Sequence, residues 1–284
     1  MIPDFLDSEL SAAERDAAIA RFRVIPVPLE RTVSYGAGTA GGPNAILEAS
    51  SQLERLWRGG EPCSAGIATE PPIDCTGTLP AVMARIAART GAAAAEGRIP
   101  VVLGGEHSLS YGAVTGLRAG LGAAVGIVQI DAHADLRAAY LGERHSHASV
   151  MQLLAEEEGV PIAQFGVRAL CREEAELRAR LGIFHRDAEE LVSSGLHRVD
   201  LPEDFPENVY VSFDLDGLDP SFLPATGTPV PGGLGFWQAL HLVEHALKGR
   251  RMAGCDVVEL APQPGGTVSD FTAAQVTYAL MALA

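Results

Sequence analysis

Residues 126–137 read GIVQIDAHADLR, and this stretch decides the fold. It overlaps a short apolar run, Val125 to Ile130, which is followed at once by Asp131, His133 and Asp135. A continuous apolar run of this length is typical of a buried strand in a parallel sheet. Three ionisable groups at alternate positions would be costly at the end of such a strand unless a counter-charge neutralised them. The stretch therefore predicts a divalent metal ion at the end of a central strand.

Apolar runs that resemble this one alternate with helical patterns along the rest of the chain. The predicted strands lie at 21–28, 99–105, 125–130, 162–168, near Ile183, at 208–216 and at 253–262. Such alternation predicts an α/β fold with one doubly wound, mostly parallel sheet. With no linker or repeat between its ends, we expect residues 1–284 to form a single domain. Residues 1–22 are predicted to be an N-terminal helical extension, because Ser11 and Glu14 have the spacing of a capping box.

Composition restricts the partners and the cellular location. The 284 residues carry a formal net charge of −15, which argues against nucleic acid and anionic membranes and favours a small cationic ligand. No run approaches the roughly 20 apolar residues of a membrane span, and the acidic N-terminus is unlike a signal peptide. Four scattered cysteines, without a C-x-x-C pair, indicate reduced thiols. We therefore expect a cytoplasmic protein.

Ionisable residues recur where the predicted strands end. In chain order they are His107, then Asp131, His133 and Asp135, then Asp214 and Asp216, and finally Glu259. A single Asp or His after a strand is more often a turn or capping residue than a ligand. However, the carboxyl ends of parallel strands meet at one edge of the sheet, where ligands bind. Their recurrence at this edge predicts one common site.

The types of these residues indicate which metal the site would hold. Four Asp carboxylates and two imidazoles, without a thiolate, form a hard, oxygen-rich set that favours Mn²⁺ or a related ion over structural zinc. Six ligands are too many for one catalytic ion that must keep positions open. Two ions that share carboxylates would use all of them.

Two other motifs match the functional patterns of other protein classes, but we do not interpret them as functional sites. Residues 36–41 match G-x-G-x-x-G, yet a polar segment separates them from the preceding strand, so they predict a turn-rich loop rather than a dinucleotide site. His241, Glu244 and His245 match the H-x-x-E-H pattern of zinc peptidases. Because they lie beside or opposite the apolar stripe of a predicted helix, they are interpreted as a solvated surface.

Several longer segments resemble the ureohydrolase family of arginases and agmatinases. They are GGEHS (104–108), DAHADLR (131–137), SHASVM (146–151), SFDLDGLDPSFLPATGTPVPGGL (212–234) and DVVELAP (256–262), in the order of the family's motifs. The resemblance extends from about the first strand to the C-terminus. It implies a three-layer α/β/α fold with a mostly parallel central sheet, a binuclear manganese centre, and trimers or hexamers.

The resemblance also implies roles for individual residues. One ion would be held by His107, Asp131, Asp135 and Asp214. The other would be held by His133 and Asp216, with Asp131 and Asp214 bridging the pair. His147 matches the proton-shuttling histidine, and its place in the first turn of a helix would lower its pKa. Glu259 matches the carboxylate that binds the guanidinium.

Two acidic residues near these motifs are expected to support the site rather than to bind the metal. Glu106 replaces the Asp most common in the first motif, and we expect it to hold the free ring nitrogen of His107 or a neighbouring backbone group. Asp219 is expected to shape a turn or to support a ligand.

The sequence of the loop after Asp135, LRAAYLGERHSHAS, favours one of the possible substrates. It lacks the Asn- and Ser-containing sequence by which arginases hold the α-amino acid end of arginine, and it resembles the agmatinase type. The leading hypothesis is hydrolysis of agmatine to putrescine and urea, with two Mn²⁺ per chain, although Ni²⁺ or another divalent ion stays possible.

Two alternatives to this hypothesis stay open. The first is another guanidino or formimino substrate, such as guanidinobutyrate, and Arg137, Arg144 and Arg168 keep an acidic substrate possible. The second is a non-catalytic metal-binding protein on the same fold.

Overall fold

The computed structural model describes residues 3–284, and the α/β prediction is confirmed in them. Eight strands form one sheet in the order β2-β1-β3-β8-β7-β4-β5-β6, and every neighbouring pair is parallel. The strands are β1 (Phe22–Val27), β2 (Ile67–Thr69), β3 (Ile99–Gly104), β4 (Val125–Ile130), β5 (Ile162–Phe165), β6 (Phe184–Arg186), β7 (Asn208–Asp214) and β8 (Arg251–Val258).

Helices cover both faces of the sheet. They are α1 (Gly42–Ser50), α2 (Leu79–Ala95), α3 (Ser110–Leu121), α4 (Val150–Gln152), α5 (Arg172–Leu181), α6 (Ala188–Ser194), α7 (Phe236–Ala246) and α8 (Thr267–Leu283). Apolar side chains of α1, α7 and α8 form the core on one face, and those of α2 to α5 form a second core on the other. All residues of β4 and β7 are buried, as expected for strands that are covered on both faces. The three-layer architecture is thus confirmed.

The segment before β1 differs from its prediction. The capping box forms, because the Ser11 N–H donates to Glu14 Oε2 at 2.8 Å and the Glu14 N–H donates to Ser11 Oγ at 3.3 Å. The helix does not form, and residues 5–19 consist of separate turns. The Glu14 carbonyl instead accepts from Ile67 N–H at 2.8 Å, and its carboxylate pairs with Arg55 at 2.6 Å. These contacts with distant residues hold the segment against the sheet edge, and they override the local helical preference.

The order of the strands brings four predicted strand ends together. β3, β8, β7 and β4 are consecutive neighbours at the centre of the sheet, although they are far apart in the chain. All four run in the same direction, so their carboxyl ends form one edge, which is where ligands bind in parallel sheets.

Gly105 is required where β3 meets this edge. A Cβ atom at Gly105 would lie 1.9 Å from the Leu29 carbonyl oxygen, so the close approach of the two backbones needs glycine. This approach places the following Glu106 and His107 against the loop after β1. Within residues 3–284, the helices are all too short or too polar to cross a membrane.

Candidate metal centre and active site

His107 is surrounded by three carboxylates. Its Nδ1 lies 3.2 Å from Asp131 Oδ2, 2.9 Å from Asp135 Oδ2 and 3.2 Å from Asp214 Oδ2. These side chains follow β3, β4 and β7, and all four are buried. The first group of ligands implied by the sequence is therefore assembled in space.

A second cluster shares Asp131 with the first. Nδ1 of His133 lies 3.0 Å from Asp216 Oδ2 and 3.7 Å from Asp131 Oδ1. The potential metal-binding groups in residues 3–284 are His107 with Asp131 and Asp214, and His133 with Asp131 and Asp216. Asp131 is common to both, as a residue that bridges two ions would be.

Backbone amides fix the orientation of these carboxylates. The His133 N–H donates to Asp131 Oδ1 at 2.6 Å, and the Asp216 N–H donates to Asp214 Oδ1 at 2.9 Å. The Ala132 N–H donates to Asp216 Oδ1 at 3.1 Å, which ties the end of β4 to the end of β7. The i, i+2 spacing seen in the sequence thus lets Asp131 and Asp214 each accept from the residue two positions later.

The hydrogen bonds of His107 show that its Nδ1 fits a metal ion. Its Nε2 lies 2.8 Å from Ser212 Oγ, whose own hydrogen is donated to Asp256 Oδ1 at 2.9 Å. Nε2 must therefore carry the proton, which leaves the Nδ1 lone pair free. Nδ1 is buried and has no hydrogen-bond partner, although three carboxylate oxygens lie close to it. A cation is the group that would satisfy this arrangement.

The charge of the site leads to the same conclusion. Burial and the neighbouring Asp131 carboxylate raise the pKa of Asp135 to about 7. Burial also raises the pKa of Glu259 to about 8, although a hydrogen bond from the His107 backbone opposes the shift. The crowded carboxylates lack enough positive charge around them, and divalent cations would supply it.

A buried polar network supports the ligands, and the sequence analysis missed it. Asp256 accepts hydrogen bonds from Ser212, Ser110 and Tyr210 at 2.6–2.9 Å, so it holds the hydroxyl that orients His107. On β4, Gln129 Nε2 donates to Asp131 Oδ2 at 2.6 Å. Polar residues within the otherwise apolar runs 125–130 and 208–213 were the available signal.

Glu259 directly follows β8 and lines the same site as His107. Its Oε1 accepts from the His107 N–H at 2.7 Å, and its backbone has a φ of 65°. Asp135 also has a positive φ, 53°. Left-handed backbone is unfavourable for residues other than glycine, and such strain is concentrated at functional sites.

His147 lines the same cleft as Glu259 and belongs to the 3₁₀ turn His147–Ser149, which leads into α4. Thr32, from the loop after β1, contacts it twice. Thr32 Oγ1 accepts from the His147 N–H at 3.0 Å and lies 3.1 Å from Nδ1 of the ring. The pKa of His147 is lowered, as predicted, but burial rather than the helix end is its largest cause.

One of the two roles predicted for Glu106 was a hydrogen bond to Nε2 of His107, the ring nitrogen that points away from the carboxylates. Glu106 does not make this contact. That nitrogen contacts Ser212, whereas the fully buried Glu106 accepts from the backbone N–H groups of Arg31 and Thr32 at 2.5 and 2.6 Å. The alternative prediction, a neighbouring backbone group, describes the observed contacts.

Asp219 shapes a turn, away from the ligand atoms. It accepts from Ser221 N–H at 3.0 Å and from the N–H groups of Gly232 and Gly233 at 2.8 and 3.0 Å. It therefore closes the loop that follows β7.

These side chains line two adjoining spaces. The inner cleft is lined by ionisable groups, namely His107, His133, Asp135, His147, Asp214, Asp216 and Glu259. The outer cavity, of about 410 Å³, shares His133, Asp135 and His147 with the cleft and continues toward Arg137, Tyr140, Leu170, Cys171 and Glu174. The two spaces therefore adjoin at His133, Asp135 and His147.

The residues of the G-x-G-x-x-G and H-x-x-E-H motifs make contacts with other parts of the chain. In the 36–41 loop, the Gly38 and Ala40 N–H groups donate to Glu30 Oε2 at 3.0 and 2.8 Å, so a carboxylate of the chain fills the place of a phosphate. On α7, Glu244 pairs with Arg58 at 3.0 Å and His245 with Asp200 at 2.7 Å. Both contacts agree with a surface role.

A three-layer fold with a parallel sheet, whose central strand ends gather Asp and His side chains, has the arrangement expected of a metal-dependent hydrolase. Residues 20–283 match the model of the arginase family, and the chain belongs to this family. It is therefore a binuclear-metal amidinohydrolase.

Individual relatives agree with this assignment. The N(1)-aminopropylagmatine ureohydrolase of Synechocystis sp. is 36% identical, over 98% of this chain and 92% of the relative. The agmatinase of Pyrococcus horikoshii is 33% identical, over 93% and 92% of the two chains. The crystal structure of the agmatine ureohydrolase of Thermoplasma volcanium superposes with a TM-score of 0.85 at 27% identity, covering 100% of this chain and 94% of that one.

Proposed function

We propose that the enzyme hydrolyses a cationic guanidino amine to urea and an amine, with agmatine as the expected substrate and putrescine as the product. The observation that carries this proposal is the inner cleft, where an unpartnered His107 Nδ1 and crowded carboxylates adjoin Glu259. The formal net charge of −15 favours the approach of a cation.

The ligand assignment is part of this proposal. His107, Asp131, Asp135 and Asp214 would hold one ion, and His133 and Asp216 would hold the other together with the shared Asp131 and Asp214. Manganese is the expected ion, because oxygen-rich sites with imidazole favour it. When bound, the two metal ions would lower the pKa of a water molecule, which then serves as the nucleophile.

Glu259 and His147 would perform the remaining steps. Glu259 would accept hydrogen bonds from the guanidinium N–H groups. These bonds would place the guanidinium carbon next to the candidate metal ligands. Water adds to that carbon, and the bond to the alkyl-bearing nitrogen breaks. His147 would receive a proton and deliver it to this leaving nitrogen, which departs as an amine. Its lowered pKa supports the role, because a neutral imidazole can accept the proton.

The outer cavity bears on the choice between a cationic and an acidic tail. Arg168 is engaged by backbone carbonyls, including those of Asp216 and Val230 at 2.7 and 2.8 Å, and Arg144 pairs with Glu157. Of the three arginines that could favour an acid, Arg137 alone lines this cavity, and Glu174 lines it as well. Such a mixed lining does not form a carboxylate pocket, which supports an amine substrate.

N(1)-aminopropylagmatine is the second candidate. A relative at 36% identity carries it in its name, and the outer cavity of about 410 Å³ leaves space beyond a short tail. The two candidates share all chemistry in the inner cleft and differ in the length and charge of the tail.

Urea release by the metal-loaded enzyme tests the proposal. We expect agmatine or N(1)-aminopropylagmatine to give a higher kcat/KM than 4-guanidinobutyrate, arginine and N-formimino compounds. Preference for an acid would overturn the substrate class. No urea from the guanidino compounds and no formamide from the N-formimino compounds, with metal content verified, would favour the non-catalytic alternative.

Location and assembly remain predictions. The four cysteines are free thiols, which supports a reducing, cytoplasmic location. Homo-oligomers, trimers or hexamers, are expected from the family resemblance, and sedimentation would test them.

A further inference from the structure

The contacts of His147 identify a residue that acts on it from outside the inner cleft. Thr32 belongs to the loop after β1 and is 115 positions away in the chain. Its hydroxyl donates to Glu106 Oε1 at 2.8 Å and accepts from the His147 N–H at 3.0 Å. The same oxygen lies 3.1 Å from His147 Nδ1.

Counting donors and acceptors assigns the proton on the ring. A threonine hydroxyl has one hydrogen and two lone pairs. Its hydrogen is directed to Glu106, and one lone pair accepts from the His147 backbone, so the second lone pair is left for Nδ1. Nδ1 must then be the donor, and Nε2 is the nitrogen with a free lone pair.

Glu106 holds Thr32 in this geometry. The buried carboxylate accepts from the Thr32 N–H at 2.6 Å as well as from the Thr32 hydroxyl, so residue and hydroxyl are fixed together. Tyr140 packs edge-on against the ring of His147, with centroids 5.6 Å apart, and restricts the ring from another side.

We propose that Thr32, held by Glu106, is a positioning residue that keeps His147 in the Nδ1–H tautomer, with Nε2 free for proton transfer at the leaving nitrogen. The proposal rests on the proposed function for its catalytic consequence. The tautomer itself can be measured without turnover.

Substitutions at Thr32 test the catalytic consequence. Thr32→Val removes the hydroxyl at nearly constant shape, and we expect kcat to fall roughly tenfold or more, the effect of one lost hydrogen bond, with KM and metal content unchanged. Thr32→Ser keeps a hydroxyl and should therefore retain most of the native kcat. Thr115→Val is the matched control, because that hydroxyl bonds only to carbonyls within α3.

A double-mutant cycle separates positioning from a general structural role. If Thr32 acts through His147, Thr32→Val should cause no further loss in the His147→Asn background, whereas independent effects would multiply. Multiplying losses, or equal activity of Thr32→Val and the native enzyme, would overturn the proposal.

Nitrogen-15 NMR of histidine-labelled enzyme loaded with diamagnetic Zn²⁺ measures the tautomer directly. The His147 signal is assigned by its loss in His147→Asn. We expect the Nδ1–H tautomer in the native chain and a loss of this preference in Thr32→Val. The Nε2–H tautomer in the native chain would refute the proposal. If the native enzyme released no urea, the proposed function would fail, but this spectrum would still decide the tautomer.

Discussion

The inner cleft and the outer cavity adjoin each other but are built differently. The cleft takes its ligands from the ends of β3, β4 and β7, and backbone amides or buried hydroxyls orient them. The outer cavity is lined by loop residues, and the Arg137 side chain there is 42% exposed. The candidate ligand cluster is therefore held by the sheet, whereas the outer cavity depends on loops that can change without disturbing that cluster.

The largest effect should come from the residue that both clusters share. We expect Asp131→Asn to abolish urea release and to lower metal content, because the neutral amide is a poor ligand and Asp131 serves both groups. Activity and elemental analysis measure this. Asp200→Asn is the control, since Asp200 is 93% exposed and pairs with His245. Full metal content in Asp131→Asn would contradict its bridging role.

Glu259→Gln should have the next largest effect. The amide keeps an acceptor for the His107 N–H but loses the charge that would bind a guanidinium. Loss of one partner of a buried charge pair costs about 2–5 kcal/mol, or roughly 30- to 5,000-fold in kcat/KM. Metal content should not change. A variant with native kcat/KM would exclude Glu259 as the guanidinium-binding carboxylate.

Ser212→Ala should weaken metal binding without removing a ligand. His107 Nε2 then loses its acceptor, and we expect affinity to fall about 10- to 100-fold, with activity recovered at high metal concentration. Ser110→Ala is a matched control, because Ser110 bonds to the same Asp256 but not to His107. Equal effects of the two substitutions would locate the cause in Asp256 rather than in His107.

The smallest effect is expected in the outer cavity. Arg137→Ala removes a positive charge near a cationic tail and should improve its KM by up to about fivefold, the range of an exposed ion pair. With 4-guanidinobutyrate, KM should rise. An equal change in KM for both substrates would show that the charge of Arg137 does not discriminate between tails.

The two spaces also differ in how far the sequence predicts them. Asp131 and Asp214 could be predicted because each directly follows a strand-like run, with His133 and Asp216 two positions later, and because parallel strands end at one edge. Ser212 and Asp256 were missed, since one polar residue within a strand does not indicate its partner on the neighbouring strand. Thr32 was missed for the same reason, because its contacts with His147 depend on the path of a loop.

The N-terminal segment illustrates the opposite failure. A local signal, the Ser11–Glu14 box, is present in the structure, but contacts with Arg55 and Ile67 decide the conformation. Short-range patterns describe strand ends well and describe segments held by distant partners poorly.

The left-handed backbone at Asp135 and Glu259 has a consequence for engineering this enzyme. Such conformations cost on the order of 1–3 kcal/mol each, and glycine would release that cost while deleting the carboxylate. Glycine at Asp135 would therefore favour heat resistance while it removes a candidate metal ligand, whereas glycine at Glu259 would also leave the buried His107 N–H without its acceptor. Thermostabilised libraries of this chain should hold these two codons constant.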